Sequence, residues 1–123
     1  MRIAYKVWLH RDGKAFGDGP YELLRRVEKT KSLHQAANQM GMSYSKAWRL
    51  VRTLEKRLGF ILLERKTGGQ SGGGSQVTPM ARDLMKRYAI FRKDVKEVLE
   101  KSIGNILAPP SRPEPCSRRK GEG

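Results

Sequence analysis

A chain of 123 residues, 37% of them hydrophobic, can bury one core with little room for a second and is too apolar for a disordered basic tail. Its formal net charge of +14, from 26 Lys and Arg against 12 Asp and Glu, calls for a polyanionic partner such as nucleic acid or an acidic membrane surface. No apolar run approaches the ~20 residues of a membrane span, no signal peptide opens the chain, and Cys116, the single cysteine, has no internal disulfide partner, so a reducing, cytoplasmic setting is expected.

Arg2 to Leu9 alternates, with Ile3, Tyr5, Val7 and Leu9 on one side, which predicts a strand. Asp12-Gly13 is a turn signal and Ala15-Phe16 a short return strand. Pro20 suits the first position of a helix over about Tyr21 to Lys29, with Leu23, Leu24 and Val27 facing inward. Ser32 caps a second helix whose inner face is Ala36, Ala37 and Met40, and Gly41 ends it with a positive φ. Ser43 then caps a third helix that runs to Leu58, where Gly59 stops it.

Two short helices joined by a tight turn, the second carrying opposed apolar and basic faces, make the pattern of a helix-turn-helix. At 3.6 residues per turn Ala47, Val51, Leu54 and Leu58 share one face, with Leu50 at its edge, while Ser45, Arg49, Arg52 and Lys56 fall on the other within an arc of roughly 60°. Lys46 and Arg57 flank that arc, and Glu55 is the one acid between Ser43 and Leu58. Arginine can pair bidentately with guanine, lysine and arginine neutralise phosphates, and a serine lets the helix N-terminus come close to base edges. A lone basic helix face is ordinarily only a solvated one; within a helix-turn-helix it reads as a DNA contact. Tyr44 is balanced between core and contact, and Trp48, beside the apolar face, is expected in the core.

Phe60 to Lys66 reads as a strand, Gly68 to Ser75 (GGQSGGGS) as a flexible loop and Gln76-Val77 as the returning strand, so that a hairpin, or wing, follows the third helix. The glycine loop lacks the Gly-Lys-Ser/Thr ending of a nucleotide-phosphate loop; as a wing tip it would let backbone approach DNA, with Arg65 and Lys66 supplying charge. Thr78-Pro79 opens a fourth helix to about Ser102. Along it Ala81, Leu84, Tyr88, Phe91, Val95 and Val98 recur at heptad spacing. A helix about 36 Å long, at 1.5 Å per residue, exceeds what a small winged helix can cover. Leu84, Tyr88, Phe91, Val95 and Val98 are therefore expected to form a homodimer seam, which suits two-fold symmetric DNA sites.

With these residues in view, the chain resembles the N-terminal DNA-binding domain of ModE-type molybdate-dependent transcription regulators. The resemblance covers about Lys6 to Tyr88 and rests on SLHQAANQMGMSYSKAWRLV and LLERKTGGQSGGGSQVTPMARDLMKRY. The LysR family shares the winged-helix and long-helix plan without so glycine-rich a wing. The resemblance implies a mainly α winged helix-turn-helix with a small β-sheet and a long dimerisation helix, residues 43–58 in the major groove of double-stranded DNA and the wing beside it. Its DNA contacts would be Ser43, Tyr44, Ser45, Lys46, Arg49, Arg52, Lys56, Arg65 and Lys66. The expected organisation is one domain over 1–107, including a dimerisation helix over 78–103, and a disordered Pro-rich tail over 108–123. Full-length ModE-type regulators add molybdate- or tungstate-binding domains, which this sequence is expected to lack, leaving molybdate or tungstate binding doubtful.

The expected function is a homodimeric transcription regulator; the alternatives are an architectural, nucleoid-type DNA protein of weak sequence preference, or a protein–protein module built on the fourth helix. No enzyme, metal site or cofactor is expected, since His10 and His34 have no Cys or acidic cluster at ligand spacing and no catalytic Ser or Cys arrangement has a plausible frame.

Overall fold

In the computed structural model, residues 3–66 and 74–107 are described. They fold as a winged helix-turn-helix in the order β1 (Trp8–His10), β2 (Lys14–Gly17), α1 (Asp18–Thr30), α2 (Leu33–Gln39), α3 (Tyr44–Leu58), β3 (Leu63–Lys66), β4 (Gly74–Val77) and α4 (Pro79–Leu107). Each pair of strands forms its own two-stranded antiparallel sheet. Contacts divide the chain into a unit Ala4–Phe91 and a second one that includes residues 92–107 of α4. Of the expected glycine loop over Gly68 to Ser75, residues 68–73 lie outside the described residues, as does the expected tail (residues 108–123), while Gly74 and Ser75 belong to β4 instead.

The helix boundaries follow from capping chemistry. The Ser32 hydroxyl accepts the Gln35 N–H at 3.0 Å, and the Ser43 hydroxyl accepts the Lys46 N–H at 3.1 Å. Each satisfies one of the donors that a helix start leaves without an intrahelical partner. Gly41 at φ +73 turns the chain between α2 and α3, and Gly59 at φ +89 closes α3, both in the left-handed region that a side chain disfavours. Thr78 accepts the Ala81 N–H at 3.1 Å and donates its hydroxyl to the Ile61 carbonyl at 2.7 Å, which joins the start of α4 to the root of the wing.

Two local expectations are corrected. β1 is three residues long and begins at Trp8 rather than Arg2, because its partner β2 ends at Gly17, where α1 begins at once. The register pairs Trp8 with Gly17 and Leu9 with Phe16, so residues before Trp8 have no strand opposite them. Pro20 sits at the third position of α1 rather than the first. It is tolerated because the first four N–H groups of a helix have no intrahelical acceptor.

One core fills the unit Ala4–Phe91. Leu23, Leu24 and Val27 of α1, Leu33, Ala36 and Ala37 of α2, and Ala47, Val51 and Leu54 of α3 enclose it, with Phe16, Leu62, Leu63 and Val77 from the hairpins. α4 adds Ala81, Met85 and Tyr88. Tyr88 therefore corrects the expected dimer seam. It is 2% exposed, meets Phe16 edge to face at 5.1 Å and donates its hydroxyl to Asp18. The three-and-four spacing that suggested a partner serves here to bury the first turns of α4 against their own chain. Leu84 is partly buried on the same core, while Phe91 is 40% exposed. In residues 92–107, Val98 and Ile106 are exposed and Val95 is partly buried.

Candidate nucleic-acid interface

α3 buries its apolar face and presents its polar one. Ala47, Val51 and Leu54 are buried; Ser43, Tyr44, Ser45, Lys46, Arg49, Arg52 and Lys56 are all exposed. Arg65 and Lys66 stand exposed on β3. Among the described residues Lys46, Arg49, Lys56, Arg65 and Lys66 have no carboxylate within ion-pair distance. Five unneutralised cations on one helix and the adjoining strand suit an anionic ligand. Ser43 has a double use, because a hydroxyl that accepts the Lys46 N–H can still donate its own proton.

Three features of this face are tertiary. First, Glu55 is buried on α3. Its Oε2 accepts the backbone N–H of Leu62 at 2.7 Å and of Leu63 at 3.2 Å, and its Oε1 accepts from Arg52 at 2.6 Å. One carboxylate thus ties α3 to the first residues of the wing. The sequence signal was the single acid on an otherwise basic helix. Second, the guanidinium of Arg52 lies 4.4 Å from the centroid of the Trp48 ring and that of Arg65 lies 5.0 Å from it. Trp48 is in the core as expected, yet it also gathers two cations from separate elements. Third, Tyr44 is a surface residue whose ring lies between His34 at 5.6 Å and Trp48 at 6.3 Å.

The wing is placed from the other side as well. Ser75 donates its backbone N–H to the Lys31 carbonyl at 3.0 Å. A Cβ on Gly74 would come within 2.5 Å of that same oxygen, so no larger residue fits without moving the strand. The N-terminal hairpin, in turn, is tied to the end of α3, where Arg57 donates to the Lys14 carbonyl at 2.8 Å. Arg57 flanks the basic arc in sequence but is committed to this contact.

No group of three His, Cys, Asp or Glu residues among the described ones is placed to hold a metal ion, and no described helix is long and apolar enough to cross a membrane.

Residues 21–82, from α1 through both wing strands to the first turn of α4, match the family of bacterial regulatory helix-turn-helix proteins of the lysR type. The chain belongs to that family. The chain is also similar to curated relatives of ModE type. The chain is 32% identical over 105 residues to the molybdenum-pterin-binding protein MopB of Rhodobacter capsulatus, a match covering 83% of this chain and 39% of MopB. It is 35% identical over 92 residues to the DNA-binding transcriptional dual regulator ModE of Escherichia coli K12, covering 74% of this chain and 35% of that protein. With the transcriptional regulator ModE of Haemophilus influenzae the identity is 35% over 71 residues, 58% of this chain and 28% of the relative. The chain thus spans about a third of the length of the curated relatives it matches.

Proposed function

We propose that this lysR-type helix-turn-helix binds double-stranded DNA as a homodimer and regulates transcription. α3 enters the major groove and the wing lies along the neighbouring backbone. The observation that carries this reading is the exposed, largely unneutralised basic face of α3, continued by Arg65 and Lys66, on a helix whose other face is buried. Tyr44, Ser45, Lys46 and Arg49 occupy the N-terminal half of α3, with Ser43 capping it, the part that approaches base edges in this docking geometry. Arg52, Lys56, Arg65 and Lys66 then meet phosphates. Exposed Phe91 and Val98, with Val95 and Leu84, supply the apolar surface for the second copy. The molybdenum in the name of MopB belongs to a protein most of whose length lies outside the match.

Selection of bound duplexes from a random pool tests the reading. A regulator enriches one site, and that site binds more tightly than random DNA by about 4–10 kcal/mol. Retention of all sequences alike would favour an architectural protein, and no retention at low salt would leave a protein–protein module.

Two substitutions divide the face. Arg49→Ala is expected to cost about 1–3 kcal/mol on the selected site and much less on random DNA, because this reading gives Arg49 a base contact. An equal loss on both would move Arg49 to the phosphates. Replacing Arg65 and Lys66 together with alanine is expected to flatten the plot of log K against log salt by about 0.9 per lost phosphate contact. An unchanged slope would show that neither residue touches the backbone.

A further inference from the structure

We propose that Trp48 is a positioning residue that holds Arg52 and Arg65 together as one phosphate-binding unit at the junction of α3 and the wing. This inference rests on the DNA-binding reading above and concerns how one of its contacts is built.

Arg52 comes from α3 and Arg65 from β3, yet both guanidinium groups lie over the same indole, at 4.4 and 5.0 Å from its centroid. Two like charges brought this close repel one another, and Glu55 offsets only one of them, through Arg52. Both arginine side chains are exposed and could each turn into solvent. An aromatic face opposes that tendency, because it attracts a guanidinium stacked flat on it and leaves the in-plane N–H donors pointing outward. The donors of Arg65, and those of Arg52 that Glu55 does not take, then suit the oxygens of a DNA backbone phosphate. Glu55 fixes the arrangement further, since the same carboxylate that accepts from Arg52 also holds the Leu62 and Leu63 N–H groups, three and two residues before Arg65.

A packing role alone does not account for tryptophan at this position. Its Nε1 is buried with no hydrogen-bond partner, the one such side-chain atom among the described residues. A buried N–H without an acceptor is destabilising, and a phenylalanine would fill much of the space without it. What phenylalanine offers less of is the strongly cation-attracting face.

The test separates affinity from stability in the full chain. Trp48→Phe is expected to leave the thermal midpoint little changed while weakening binding to a random-sequence duplex about 3- to 10-fold at low salt. Arg65→Ala should then cost much less in the Trp48→Phe background than in wild type, since the two act through one another. Arg65→Lys, which keeps the charge and loses the planar stack without touching the core, should lose most of the affinity that Arg65→Ala loses. Full affinity in the lysine variant, equal costs of Arg65→Ala in both backgrounds, or stability and affinity of Trp48→Phe falling in step would each overturn the proposal. If wild type itself binds no duplex at low salt, the DNA-binding reading fails first and takes this inference with it; wild-type binding with any of the preceding results fails the inference alone.

Discussion

Glu55→Ala is expected to destabilise the protein by about 2–4 kcal/mol, the largest stability loss of any substitution on α3 that leaves its apolar face intact. The residue looks like an ordinary helix-surface acid in sequence, but it is 9% exposed and its carboxylate has three hydrogen-bond donors around it. Alanine would leave the Leu62 and Leu63 N–H groups without their acceptor at a buried strand start, and each such group costs about 1–3 kcal/mol. It would also release Arg52 from its only carboxylate among the described residues. Glu55→Gln keeps an acceptor oxygen but gives up the charge-assisted bonds, so its loss should be about half as large. Urea unfolding of the two variants, read at constant m-value, measures the difference. Amide hydrogen exchange at Leu62 and Leu63 localises it, and protection there that survives Glu55→Ala would show that the carboxylate is not what holds the wing root.

The second large effect is on assembly. Phe91→Glu is expected to yield a folded monomer whose operator affinity falls about 100-fold or more, because two half-sites no longer bind as one linked unit. At 40% exposure in the single chain, Phe91 can accept a charge at little cost to the fold, although its ring lies 6.1 Å from that of Tyr88. In a dimer seam the same glutamate would be desolvated without a partner. Sedimentation of wild type and variant, followed by operator titration, reads both halves of the prediction. A wild type that sediments as a monomer at micromolar concentration would sink the seam, and a dimeric Phe91→Glu would move it to another surface.

Chain-local chemistry was the legible part of this fold. Ser32, Gly41, Ser43, Gly59 and Thr78 act on backbone groups within four residues of themselves, so their roles could be read directly and the helices α2, α3 and α4 begin or end where they were expected. The basic arc of α3 was equally legible, since helical periodicity decides which residues share a face. Tyr88 was not, because heptad spacing describes an apolar stripe without saying which chain covers it. Glu55 was not, because its role depends on the chain turning back seven and eight residues later to bring two N–H groups to it. The length of β1 depended on where its partner strand stopped, a fact of pairing rather than of alternation.

The anchoring of the wing at both ends bears on where mismatch with a DNA site is absorbed. β3 starts under the Glu55 carboxylate, and β4 starts on the Lys31 carbonyl with no room for a side chain at Gly74. Under the DNA-binding reading proposed above, a helix and a strand pair tied at these two points would hold their separation when both meet one duplex. In that reading the compliance would come from the duplex, through bending or a change of groove width between the two points of contact. Base steps that deform easily would then be favoured at positions no side chain reaches, giving the protein a preference for DNA mechanics beside its preference for base edges.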